Sequence, residues 1–353
     1  MRRFIMPVAQ AVRIPRDVAS RRPVANFLNI DLRGAMRLAV GLAISFLTLG
    51  CSGKPGSGEL LGVFQQPVVV VVADETAIYG LGADLERIPA AGGPSAVLAS
   101  ELDGVSLVVG GASLFWYEQA DKTIVTLPKA GGTPSVLASS QYDAGGLQSD
   151  GMNLYWFTNE YLTATEPWTV RSMPLGGGPV TELLNLTGVA ISAMVVDDSR
   201  IYFLTEDRSG TVPQTGPYGI QMIPKDGSSA AVMLQPSDGF GIQGLMRAGT
   251  GLFWIGGPIT APEIRRMELG TGAITTFAQL PRTGSISLLM DAAGAFGFVQ
   301  ECGNKYSGCW TWLRTVPDWK DRAYVKGFAW AAALDARFVY WVINGRELRR
   351  VPR

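Results

Sequence analysis

Cys302 and Cys309 stand seven residues apart within Gln300-Glu301-Cys302-Gly303-Asn304-Lys305-Tyr306-Ser307-Gly308-Cys309, a spacing open to a disulfide, a zinc site or a redox pair. A tetrahedral zinc site needs further ligands, and the chain has neither a CxxC pair nor any histidine to supply them. The flanking Phe296-Gly297-Phe298-Val299 and Trp310-Thr311-Trp312-Leu313 read as two strands joined by this loop, so a disulfide across a hairpin mouth is the expected chemistry. The missing histidine also removes a Ser-His-Asp triad, a Cys-His dyad, an HExxH zinc site and the usual imidazole base. Carboxylates remain. Asp197-Asp198 is the most conspicuous pair, but it falls in a tight turn, where aspartate hydrogen-bonds its own backbone. No DxDxDG calcium loop, phosphate-cradling GK[ST] or strand-to-helix GxGxxG is present, and Leu175-Gly176-Gly177-Gly178-Pro179 reads as a hairpin turn. No catalytic residue, metal ligand or cofactor is assigned.

The elements that would position any site are written as a repeat. An aromatic residue recurs at Tyr79, Phe115, Tyr155, Tyr202, Phe253, Phe296 and Tyr340, spaced 36 to 51 residues apart, which is the period of propeller blades. Each unit parses as four short strands between turn signals. The third strand ends in proline in six units, at Pro89, Pro128, Pro174, Pro224, Pro317 and Pro352, with Arg266-Met267-Glu268 as the departure. Proline closes a strand because it cannot donate to the ladder. The seventh unit lacks a fourth strand, while Glu59 to Phe64 is a strand with no unit to belong to. Their pairing would shut the ring and hide its edge. The expected fold is all-β: a seven-bladed β-propeller of four-stranded antiparallel blades, closed by an N-terminal strand that completes the last blade. Six blades is the rival count, because Gly297 replaces the second aromatic of unit six. The aromatic pairs should wedge against both neighbouring blades, since adjacent residues on a strand face opposite ways. The valine run Val68 to Val72 should be buried on both faces near the axis.

Within such a ring, loops between second and third strands share one face. They lengthen in units three to six: Asn159 to Trp168, Glu206 to Tyr218, Gly256 to Pro262, and the cysteine loop. Long loops on a rigid scaffold are where binding resides. Tyr161, Glu166, Trp168, Asp207, Arg208 and Tyr218 form the candidate ligand face, an aromatic and acidic rim suited to a protein or glycan. Tolerated insertions without a ligand are the alternative.

The front of the chain is different in kind. The first fifty residues carry eight arginines against Asp17 and Asp31, which leaves 22 basic and 28 acidic side chains in the remainder, a charge of about −6. That balance argues against a nucleic-acid partner. Leu38 to Gly50 is an apolar run behind Arg33 and Arg37, laid out like an export signal and short for a membrane span. Leu47-Thr48-Leu49-Gly50-Cys51 resembles the lipobox of bacterial lipoproteins, although Thr48 stands where an aliphatic residue is usual. The resemblance implies lipidation at Cys51, and Ser52 resembles outer-membrane sorting in Gram-negative lipoproteins. The expected organisation is a disordered extension or mis-assigned start over 1–35, with Met36 favoured as the true start. A signal peptide follows over 36–50, a flexible tether over 51–58, and the propeller over 59–353.

The repeats resemble secreted bacterial β-propellers of unknown function that are distantly like the YWTD propellers of lipoprotein-receptor ectodomains. Tyr155-Trp156 and Tyr340-Trp341 carry the likeness, while Phe157-Thr158 and Val342-Ile343 depart from the tetrapeptide. The resemblance implies fold rather than ligand. Two functions are expected from different classes. The first is a non-catalytic, monomeric binding or scaffold module in the cell envelope, lipid-anchored to the outer membrane or otherwise periplasmic or secreted. The second is a carbohydrate- or lactone-active hydrolase or lyase with a carboxylate pair or calcium at the axial mouth.

Overall fold

The computed structural model describes residues 11–13, 28–31, 56–159, 167–206, 218–237, 242–258, 260–281, 285–302 and 308–353. Seven antiparallel sheets follow one another around an axis, and each begins on its innermost strand. Those inner strands are Val68–Ala73, Gly104–Gly110, Gly145–Ser149, Ala190–Val196, Gln243–Ala248, Ser285–Asp291 and Ala329–Leu334. Blade 7 has only three strands of its own at the end of the chain. Its outer strand is Glu59–Val63, paired antiparallel with Glu347–Pro352. The ring is closed as the sequence predicts, and the blade count is seven.

The closure is locked beyond the ladder. Glu86, on the third strand of blade 1, is fully buried and accepts the amides of Gln65 and Gln66 at 2.7 and 2.8 Å. Arg346 Nε donates to the carbonyl of Phe64 at 2.9 Å, and Arg350 forms a fork with Glu59. A buried carboxylate is tolerated where donors satisfy it, and here the donors are the chain's own amides.

Each aromatic pair is split between two blade interfaces. Tyr202 packs with blade 5 residues Leu252 and Trp254, whereas Phe203 packs with blade 3 residues Tyr155 and Phe157. The same division holds for Phe115 and Trp116, Tyr155 and Trp156, Phe253 and Trp254, and Tyr340 and Trp341. The two units with glycine at the second position are completed from elsewhere. A Cβ on Gly80 would lie 2.8 Å from Phe64 Cε1, and one on Gly297 would lie 2.6 Å from Trp319 Cζ3. Phe64 joins the cluster between blades 7 and 1, and Trp319 packs on the one between blades 5 and 6. All seven interfaces therefore receive a ring, which is why unit six folds as a full blade.

The third strands end at Pro89, Pro128, Pro174, Pro224 and Pro352, while that of blade 6 ends at Val316, just before its proline. Every third-to-fourth strand pairing contains a register shift, which adds twist to the outer edge. The valine run is only partly buried: Val68 and Val71 are enclosed, Val69, Val70 and Val72 are half-buried, and Val69 to Val72 line a cavity on the axis.

Two short strands precede the ring. Ala11–Arg13 pairs parallel with Leu28–Asp31, which pairs antiparallel with Ser285–Asp291 on the axial edge of blade 6. They fall in the stretch read from sequence as a disordered extension, whose other residues lie outside those described. The signal segment 36–50, Cys51 and the first part of the tether also lie outside the described residues. The last three tether residues are docked. Gly56 accepts from the Tyr324 amide at 3.2 Å, and Arg349 donates to Ser57 Oγ at 3.2 Å and to the Gly58 carbonyl at 3.3 Å.

Candidate functional site

The face formed by first-to-second strand turns is a belt of structural aspartates. Asp74, Asp150, Asp197, Asp291 and Asp335 each accept two backbone amides of their own turn, as with Ser199 and Arg200 on Asp197 at 2.8 and 2.7 Å. This is the turn use expected of Asp197. In three of the blades the second carboxylate oxygen holds the tyrosine at the first aromatic position: Tyr155 to Asp150 at 2.9 Å, Tyr202 to Asp197 at 2.9 Å and Tyr340 to Asp335 at 2.6 Å.

In four of the five, a cation from the following blade adds to these bonds. Lys129 reaches Asp74 at 2.7 Å, Lys225 pairs with Asp150, Arg247 reaches Asp197 at 3.6 Å, and Arg353 clasps Asp291. Lys129, Lys225 and Arg353 each follow the proline that ends a third strand. Blade 2 has Gly110-Gly111 instead of the aspartate, and Leu175, at the corresponding position after Pro174, packs onto Gly110. Burial pushes the Asp74 carboxyl up, but Lys129, Thr76 and the turn amides outweigh it and hold the pKa at about 2. Burial likewise opposes, and the same kinds of hydrogen bond overcome, so that Asp150, Asp197 and Asp291 are all lowered. These carboxylates are fixed as anions by structure.

On the axis lies a cavity of about 350 Å³ lined by inner strands of blades 1, 2, 3, 6 and 7. Its walls are Val69 to Ala73, Leu107 to Val109, Leu289 and Ala331 to Leu334, with Ser106, Gln148 and Ser149 as the polar members. Among the described residues, no aspartate or glutamate lines it. Gln148 is engaged in cross-linking blades 3 and 4: its amide donates to the Met194 carbonyl at 3.1 Å and accepts from the Val196 amide at 3.3 Å. Among the described residues, no group of three or more histidine, cysteine, aspartate or glutamate side chains gathers as a metal site.

The long-loop face holds only part of the expected rim. Trp168 begins the third strand of blade 3 and is 8 % exposed, with its ring 5.6 Å from Phe157 in the blade 3–4 core. It is a packing residue because the strand pleat turns it inward. Tyr218 is half-buried, and its carbonyl accepts from the Ser237 amide at 2.8 Å. Tyr161, Glu166, Asp207 and Arg208 lie outside the described residues. The disulfide is formed: Cys302 and Cys309 are register partners with S–S 2.02 Å and Cα–Cα 4.0 Å.

Below this face, polar side chains cap the buried rings. Gln141 Oε1 accepts from Trp156 Nε1 at 3.0 Å and Arg171 Nη1 at 3.1 Å, and Glu118 accepts from Trp116 Nε1 and the Asp103 amide. Burial raises the Glu118 pKa, against the hydrogen bonds from Trp116 and Asp103. The sequence reading passed over Gln141, Glu118, Glu86 and the clasping cations. A cation directly after the strand-ending proline was the one legible signal, visible at Lys129, Lys225 and Arg353.

No protein-family model matches the chain, and no curated protein matches it. Solved structures do. Oligogalacturonate lyase from Vibrio parahaemolyticus aligns with TM-score 0.61 at 8% identity, over 78% of this chain and 85% of that one. The computationally designed Ika8 protein aligns with TM-score 0.53 at 12% identity, over 84% of this chain and 100% of that one. The likeness is one of fold. A nidogen/laminin complex, at TM-score 0.45 and 13% identity over 59% of this chain and 78% of that one, is more remote. The ring architecture is thus shared widely, and its chemistry has to be argued from the residues present.

Proposed function

We propose that this chain is a non-catalytic, monomeric propeller, lipid-anchored at Cys51 in the bacterial cell envelope, that binds a protein or glycan through its long-loop face. One observation carries the reading: four of the five turn carboxylates are neutralised by turn amides and a cation of the next blade, while the described wall of the axial cavity is mostly valine, leucine and alanine, with Ser106, Gln148 and Ser149 as its polar members. A carbohydrate- or lactone-active enzyme would call for two acidic groups within about 10 Å at the axial mouth. That second reading is kept because an oligogalacturonate lyase shares the ring fold.

The test is glycan-array binding and envelope-protein pull-down with the intact propeller and with residues 160–166 and 207–217 replaced by short Gly-Ser links. Saturable binding lost on trimming is expected. Turnover of oligogalacturonate or a lactone by the purified chain, with calcium or manganese supplied, would favour the enzyme.

A further inference from the structure

We infer that the outer edge of blade 6, continued by the closing strand of blade 7, is a membrane-contacting face that rests on anionic phospholipid headgroups beside the anchor. This rests on the lipid-anchor reading of Cys51.

The path of the chain places the edge next to the anchor. The Gly56 carbonyl is hydrogen-bonded to the amide of Tyr324, on the outer strand Asp321–Lys326. Gly56 is only five residues on from Cys51. Fully extended, that stretch reaches at most about 18 Å. A lipid on Cys51 would hold this edge of blade 6, together with the adjoining strand of blade 7, close to the bilayer. A tether this short presents the surface at roughly millimolar effective concentration, so a face of weak intrinsic affinity becomes occupied.

The side chains on the edge suit a headgroup layer. Trp310 is 38% exposed, and its ring lies 5.8 Å from that of Tyr324, which stacks on Trp312 at 5.0 Å. Tryptophan and tyrosine favour the membrane interface because an apolar ring carries a polar handle. Lys326 is exposed and is the register partner of Trp310, so the two side chains share one face of the sheet. Asp321, on the same strand, is already paired with Arg314 at 2.6 Å. The strand that leaves the tether adds Leu60 and Val63, 50% and 43% exposed. Because the contact is on the rim, the ring stands on edge and its long-loop face opens sideways along the membrane, accessible to a neighbouring envelope component.

The test uses the full chain carrying Cys51→Ser, which has no lipid, with phosphatidylglycerol vesicles. Partition is expected, weakened at least about tenfold by Trp310→Ser with Lys326→Glu, and also weakened by Lys326→Glu alone. A dye on Leu60→Cys should be quenched by nitroxide lipid, and a dye on Val180→Cys, across the ring, should not. No partition, partition indifferent to both variants, or equal quenching at the two positions overturns the face. Palmitate incorporation on the native chain reads the anchor separately: lipid on Cys51 without partition sinks the face alone, and partition without lipid sinks the anchor alone.

Discussion

Trp319 fills the space that Gly297 leaves: a Cβ there would come within 2.6 Å of its ring, and the indole Nε1 donates to the Gln279 carbonyl of blade 5 at 2.9 Å. A residue from the turn after the third strand thus takes the place that a second-strand tryptophan holds in blades 2, 3, 5 and 7. Trp319→Ala should cost about 2–3 kcal/mol in urea unfolding, less than a fully buried ring because the side chain is only half-buried. Adding Gly297→Trp to that variant should recover part of the loss, whereas Gly297→Ala alone should destabilise. A Trp319→Ala protein as stable as the parent would show that the interface does not need the ring.

Phe64 relates to Gly80 in the same way, but at the seam of the ring. It is fully buried, so Phe64→Ala should cost about 3–5 kcal/mol. Hydrogen exchange should then show Glu59–Val63 and Glu347–Pro352 losing protection together, since the two strands share one ladder. Loss confined to one of them would contradict closure as a single unit.

Acid should loosen the clasp between blades. The folded Asp74 carboxyl titrates at about 2, below the roughly 3.9 of an unfolded aspartate, so the unfolded chain takes up the proton first as pH falls. The stabilisation is full above about pH 5, is lost progressively between about 4 and about 2, and is absent below that. Solvent screening limits it to about 1 kcal/mol for this pair. Lys129→Met should lower stability at pH 7 and flatten the acid limb of the stability curve. An unchanged acid limb would remove Lys129 from the clasp.

The Cys302–Cys309 bridge closes a short loop, and the chain-entropy relation gives roughly 2.5 kcal/mol for it. Cys302→Ser with Cys309→Ser should lower the urea midpoint by that order, and dithiothreitol should do the same to the parent but nothing to the double variant. Equal sensitivity of both proteins to the reductant would place its action elsewhere.

Much of the fold was legible because a propeller is a local code written repeatedly. Tyr202 and Phe203, the proline at 224 and the spare strand at 59–64 each state a blade or its closure within a few residues of sequence. The disulfide was legible for the same reason, since Cys302 and Cys309 lie on one hairpin. What the sequence alone did not disclose are relationships across blades. Trp168 reads as a rim residue in a loop list but is turned into the core by the pleat of its strand. Gly297 reads as a gap until Trp319 arrives from the turn after the third strand, and that Phe64 covers Gly80 in the same way shows only in the closed ring. Where the acidic residues of the repeats settle was equally out of sight: Asp74, Asp150, Asp197 and Asp291 are held at the turn face by amides and by cations of the next blade. Strand period and turn chemistry depend on near neighbours and so survive in one dimension. Which side chain fills a notch or neutralises a charge depends on residues tens to hundreds of positions apart, and only the closed ring brings those together.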